Sequence, residues 1–129
     1  MDRRYLSNMS VTKSPGIISI TDVYEIHEQR GIYIFDVNPA WMYQQHHIPD
    51  AFNIGVYFSE STIPQDKGAM LIFYSHNAQC RNSSLAARHA MKMGYYNIWI
   101  MKAGITGWMY NNFPVDSSSR SRKKQFLNS

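Results

Sequence analysis

The sequence predicts an α/β domain built on a largely parallel sheet with helices on both faces, and three observations carry that reading. Short runs of apolar, β-branched and aromatic residues alternate with helical patterns, at spacings that suit strand–helix–strand crossovers. The run Leu71-Ile72-Phe73-Tyr74 is apolar or aromatic at every position, the pattern of a strand buried on both faces. It passes through a polar loop, Ser75 to Asn82, directly into an alanine-rich helical pattern.

Met1 to Pro15 is polar and irregular and reads as a flexible arm. Ile17-Ile18-Ser19-Ile20 is expected to form a short strand, after which Thr21 or Asp22 caps a helix through Val23, Ile26 and Glu28, closed by Gly31. Ile32-Tyr33-Ile34-Phe35-Asp36-Val37 is a second strand. Pro39 suits the first turn of a helix carrying Ala40 to His46. His47-Ile48-Pro49-Asp50 is a turn, and Ala51-Phe52-Asn53-Ile54 a short strand. A longer loop through Pro64 and Gly68 leads to the Leu71 strand. The following helix has Ser83 or Ser84 as its expected cap, Ala86, Ala90 and Met93 as one buried stripe, and Gly94 as its end. Asn97 to Met101 is a fifth strand, Gly104 to Asn112 a short helix, and Phe113-Pro114-Val115 ends the domain. From Asp116 the serine-rich, basic sequence reads as a disordered tail.

At 129 residues, 44% of them hydrophobic, the chain has the size of one domain with a sizeable core. No apolar run approaches the length of a membrane span, and the N-terminus lacks the basic-then-apolar pattern of a signal peptide. Cys80 is the only cysteine, which excludes an internal disulfide and makes a reducing, cytoplasmic setting the expectation. The formal net charge is +4, but Arg120, Arg122, Lys123 and Lys124 all lie in the tail, and without them nine basic residues face nine acidic ones. A neutral body argues against nucleic-acid binding by the core and confines any polyanion contact to the tail.

A strand feeding a tight loop that opens a helix gathers backbone N–H groups and the positive helix end around one small volume, an anion cradle. Ser75 stands at its floor, and His76, Asn77, Ala78, Gln79, Cys80 and Arg81 form its walls. Open parallel sheets bind ligands outside the carboxyl ends of their strands, where Asp36-Val37-Asn38 also lies. Asp36 is therefore a candidate to support the site by hydrogen-bonding loop amides. His46, His47, His76 and Cys80 match no compact zinc spacing, so neither a metal nor another cofactor is expected. Trp41, Trp99 and Trp108 are read as packing residues.

Five stretches stand in a definite order: Phe35-Asp36-Val37; His47-Ile48-Pro49-Asp50-Ala51-Phe52-Asn53-Ile54; Tyr74 and its loop, followed by two helical alanines; Gly94-Tyr95-Tyr96-Asn97-Ile98; and Gly104-Ile105-Thr106-Gly107-Trp108. Together they resemble the strand-ending Asp-Val, the His-Ile-Pro-Gly-Ala-x-Asn-Ile box, the active-site loop, and the closing Gly-Tyr-x-Asn-Val and Gly-Gly-x-x-x-Trp signatures of the single-domain rhodanese-like family. The resemblance spans roughly Ile17 to Val115 and implies a domain at 16–115 with a central, mostly parallel five-stranded sheet, preceded by the arm 1–15 and followed by the tail 116–129. Asp50 stands where the family usually has glycine, and Asn38 where many relatives have arginine.

The resemblance also implies a chemistry. In active relatives the position of Ser75 is a cysteine, which takes a sulfane sulfur as a persulfide and passes it to cyanide or a protein thiol. That step needs a thiolate among amides. A serine oxygen holds no persulfide, and no base is placed to activate it, so transfer at Ser75 is expected to be weak or absent. The implied partners are a small sulfur-containing anion, or a protein thiol or persulfide donor. Cys80 reproduces the second loop cysteine of some relatives. Near a helix N-terminus and beside Arg81, it is a candidate to carry sulfur instead, against the plainer alternative of a small residue lining the loop. The Ser75-to-Arg81 spacing also matches the Cys-x5-Arg loop of phosphatases on this fold, which makes Arg81 a candidate contact for phosphate or arsenate. The remaining alternative is a non-catalytic module that recognises an anion or a partner protein.

Overall fold

In the computed structural model, which describes residues 14–117, the apolar runs form strands where they were expected, most of them shorter than the runs themselves. The order is β1 (Gly16–Ile17), α1 (Ile20–Ile26), β2 (Ile32–Asp36), α2 (Ala40–Gln45), β3 (Phe52–Asn53), a 3-10 turn (Glu60–Thr62), β4 (Met70–Tyr74), α3 (Asn82–Lys92), β5 (Ile98–Ile100) and α4 (Gly104–Tyr110). One five-stranded sheet runs β1-β5-β4-β2-β3, and every pairing in it is parallel. β4 is central. Asp36 pairs with Tyr74 and Phe73 with Ile100, so the carboxyl ends of β2, β4 and β5 emerge almost level. Ser75 is the residue that leaves the middle of that edge.

Alternation along the strands divides the interior in two. Leu71 and Phe73 face α3, where they pack with Ala86, Ala87 and Ala90. Ile72 and Tyr74 face the other way, toward Val23 of α1, Tyr43 of α2, and Ile105 and Trp108 of α4. Burying one large apolar side chain contributes roughly 1.5–3 kcal/mol. An exposed, solvent-screened ion pair such as Lys67 with Glu60 contributes little beside this, so the two cores hold the fold.

Several local expectations are corrected. The first strand stops at Ile17 because Ser19 caps α1, its hydroxyl oxygen accepting the Asp22 N–H at 3.0 Å; Thr21 and Asp22 lie inside the helix. Pro39 is the N-cap of α2 rather than its first helical residue. Helix α3 begins at Asn82 with Arg81 at the cap and no side-chain capping bond, while Ser83 and Ser84 sit in its first turn. Trp41 is 60% exposed on α2 and belongs to neither core. Asp116, expected in the tail, forms an antiparallel bridge with His47. The rest of the basic tail and most of the N-terminal arm lie outside the described residues. Asp50 has φ of +71°, the left-handed region in which a glycine would be unstrained.

Candidate active site

Ser75 follows β4 and is 2% exposed. The carbonyls of Ser75 and His76 accept the N–H groups of Ile105 and Thr106, each at 3.0 Å, so the first turn of α4 grips the start of the loop. That approach depends on Gly104. Its φ is +69°, and a Cβ there would lie 2.6 Å from the His76 carbonyl and 2.7 Å from the Ser75 carbonyl oxygen. Sequence reading placed Gly104 in a family signature without assigning it this role in shaping the site.

Beyond His76 the chain turns on Asn77. Its Oδ1 accepts the N–H groups of Gln79 at 3.1 Å and Cys80 at 3.2 Å, an arrangement open to asparagine because its side chain mimics a backbone carbonyl. The turn brings Cys80 back onto Ser75. Burial pushes the Cys80 thiol pKa up, but the Ser75 hydroxyl and the backbone N–H groups of Asn82 and His76 outweigh it, and the net result is a lowered pKa. Asn82 is the first residue of α3, so one of these donors is a helix-start N–H with no partner inside the helix. The Arg81 side chain is exposed and is not among the groups that lower it.

The cradle therefore differs from the one expected. The Gln79 and Cys80 amides are engaged by Asn77, and the His76 and Asn82 amides lie near the chain's own sulfur and lower its pKa. Asn77 forms the turn. The His76, Ala78 and Gln79 side chains are on the exposed or half-buried rim rather than the floor.

Asp36 lies on the other face of the sheet. It is fully buried, and its Oδ1 accepts the N–H of Asn38, two residues on, at 2.8 Å. Burial raises its pKa to about 6 although Tyr74, Asn38 and His47 favour the ionised form. Tyr74 and the Asn38 side chain are near, yet neither makes a well-formed hydrogen bond to Oδ2, and Asn38 Nδ2 is likewise unpartnered. His47 is structural: buried, stacked on Tyr43 at 3.7 Å, with Nδ1 2.6 Å from the Tyr43 carbonyl. Among the described residues no three His, Cys, Asp or Glu side chains converge as metal ligands, and no helix is long and apolar enough to cross a membrane.

Three clefts stand out. One of about 420 Å3 lies near the amino end of β2 between residues such as His27, Arg30 and Asp50, away from the Ser75 loop, and contains no thiol. Another, about 270 Å3, lies beside Tyr57, Leu85, Arg88 and Lys92 and also contains no thiol. The third, about 250 Å3, opens at Cys80 and is lined by Arg81, Arg88 and Lys102. Arg88 and Lys102 were not singled out in the sequence, although the seven-residue spacing from Arg81 to Arg88 puts both on one side of α3.

The model of the rhodanese-like domain family matches residues 19–111. Among curated proteins nothing matches significantly. Among solved structures the chain is similar to the BH2092 protein from Bacillus halodurans, with 24% identity over 91% of this chain and 84% of that one and a TM-score of 0.70. It is similar to a Rhodopseudomonas palustris protein of unknown function described as a possible tyrosine phosphatase, with 18% identity over 86% and 90% of the two chains and a TM-score of 0.67. A third is the thiosulfate sulfurtransferase from Pseudomonas aeruginosa, with 15% identity, a TM-score of 0.64, and coverage of 80% of this chain but 20% of that one. At such identities the likeness is one of fold.

Proposed function

The chain belongs to the rhodanese-like domain family, and on that premise we propose that it is a sulfur carrier whose sulfur-bearing atom is Cys80 Sγ, with Ser75 as a hydrogen-bond donor to it. One observation carries this reading: the Ser75 hydroxyl and the backbone N–H groups of Asn82 and His76 lie near enough to the chain's one thiol to lower its pKa. The Cys80 thiolate attacks the outer sulfur of thiosulfate, the S–S bond breaks, and sulfite leaves with the electron pair, so that Cys80 becomes a persulfide. Cyanide or a thiolate then attacks the outer sulfur and returns the pair to Sγ. Donors that stabilise the thiolate also make it a better leaving group in the second step. Ser75 takes no sulfur, and with the carrier displaced along the loop, transfer is expected to be weak beside that of a Ser75→Cys variant. A lone carrier thiol functions where it stays reduced, which suits the cytoplasm.

The competing readings are a binding module without transfer, and an oxyanion site around Arg81, to which the possible phosphatase among similar structures lends interest. Occupation of the Gln79 and Cys80 amides by Asn77 weighs against the latter. Thiosulfate:cyanide transfer, with mass spectrometry for one added sulfur, is to be measured on the natural chain and on Ser75→Ala, Ser75→Cys and Cys80→Ala. Sulfur uptake by the natural chain and Ser75→Ala, lost in Cys80→Ala, is expected. Uptake by Ser75→Cys alone would make the natural chain a binding module. Uptake by none, with phosphate binding that fails in Arg81→Ala, would favour the oxyanion site.

A further inference from the structure

The 250 Å3 cleft has a specific chemistry. Cys80 lines it and Ser75 does not, so it adjoins the proposed carrier on a side distinct from the floor of the loop. Arg81 enters it from the cap of α3, Arg88 from two turns further along, and Lys102 from just beyond β5. No acidic residue lines it, and among the described residues no carboxylate pairs with any of these cations. Cations converging from separate elements with no counter-ion concentrate anions at that spot. Its volume equals roughly eight water molecules at about 30 Å3 each, ample for an organic molecule, and Ile17 and Ile100 give it an apolar wall. A guanidinium matches a carboxylate in a bidentate pair, and a lysine ammonium supplies a second point charge.

We infer that the sulfur donor or acceptor of Cys80 is a small organic thiol or persulfide bearing two carboxylates, held in this cleft by Arg88 and Lys102 with its sulfur at Cys80. The inference rests on the sulfur-carrier reading above. In the acceptor direction the bound thiolate attacks the outer sulfur of the Cys80 persulfide. The Sγ–S bond breaks, its electron pair returns to Sγ, and the acceptor departs as the persulfide; no outside oxidant or reductant enters.

Two measurements test it. Because Cys80 is the only cysteine, alkylation reports on it alone. Iodoacetate and iodoacetamide differ mainly in charge. Their rate ratio at low salt is expected to exceed that of free N-acetylcysteine amide by at least about tenfold, and to fall toward the free-thiol ratio in Arg88→Gln/Lys102→Gln. A ratio equal to that of the free thiol, or one unchanged in the double variant, overturns the inference. In the second measurement Cys80 is loaded with sulfur and discharged to mercaptosuccinate or to 2-mercaptoethanol at equal thiolate concentration. Faster discharge to mercaptosuccinate, by about tenfold and dependent on Arg88 and Lys102, is expected. Loading followed by discharge indifferent to carboxylates overturns this inference and leaves the carrier intact. Failure of Cys80 to load overturns both.

Discussion

Asp36 carries a proton more tightly in the fold than in the unfolded chain, because burial raises its pKa from 3.8 to about 6. Its contribution to stability is therefore fully present below pH 3.8 and is lost as the pH rises through 6. The gap corresponds to about 3 kcal/mol at about 1.4 kcal/mol per pH unit. Asp36→Asn keeps an oxygen for the Asn38 N–H and removes the buried charge. Urea denaturation should show the stability of Asp36→Asn relative to the natural chain improving by about 2 kcal/mol between pH 4 and pH 7; a difference that does not move with pH would mean that the carboxyl is solvated. At Cys80 the sign is opposite. Ser75 donates to the thiolate, so Ser75→Ala should raise the thiol pKa and slow alkylation at pH 7 several-fold, with the pH–rate midpoint moving upward. Neither environment was fully legible in the sequence. The position of Asp36 at a strand end was, but its burial depends on packing by Tyr74, 38 residues away. The signal for the return of Cys80 onto Ser75 was Asn77, whose capacity to form a turn went unused in reading the loop.

Among the elements, helix α4 and the Ser75 loop act as one unit, since the loop's first two carbonyls are bonded to the helix's first turn. Gly104→Ala places a Cβ against two carbonyl groups in the left-handed region. The conformational cost is about 1–2 kcal/mol, and relieving the overlap adds about 1–3 kcal/mol. Since the relief moves Ser75 and His76, both donors to Cys80, the variant should lose denaturant resistance and thiol reactivity together. Loss of stability with unchanged alkylation would uncouple helix from loop. The helices themselves were legible from periodicity, their ends less so. The caps expected from residue type were Thr21 or Asp22 for α1 and Ser83 or Ser84 for α3, whereas Ser19 caps α1 and Arg81 stands at the start of α3 with no side-chain capping bond. Where each helix starts is settled by where the chain leaves the sheet: after Ile17 for α1, and after a loop turned by Asn77 for α3.

For the whole molecule, the class of fold could be read because a parallel sheet buried on both faces requires continuous apolar runs, and these were present at β2 and β4. The rhodanese-like family followed from five motifs in order, of which Phe35-Asp36-Val37, the Ser75 loop and the start of the 104–108 stretch meet at the carboxyl edge of the sheet, while residues 94–97 precede β5 at its other end. What could not be read was how the chain closes. Phe113 stacks on Tyr24 at 4.4 Å and meets Trp108 at 5.1 Å, the Trp108 indole N–H donates to the Pro114 carbonyl at 2.7 Å, and Asp116 exchanges two backbone hydrogen bonds with His47. These are contacts of a segment without a regular pattern, visible only once α1, α2 and α4 share a face. They form a clasp on the face opposite α3, whereas Cys80, Arg88 and their cleft lie on the α3 side. Phe113→Ala should therefore cost about 2–3 kcal/mol, less than the roughly 3–5 kcal/mol of a fully buried phenylalanine because Phe113 is only half-buried. In native conditions it should leave the Cys80 alkylation rate within about twofold, since ΔΔG values of groups with no shared partner are close to additive. The two quantities are read by urea denaturation and by alkylation of the same sample. A large fall in native-state thiol reactivity would show that the clasp acts through Trp108 and α4 on the Ser75 loop, making the two cores one mechanical unit rather than two.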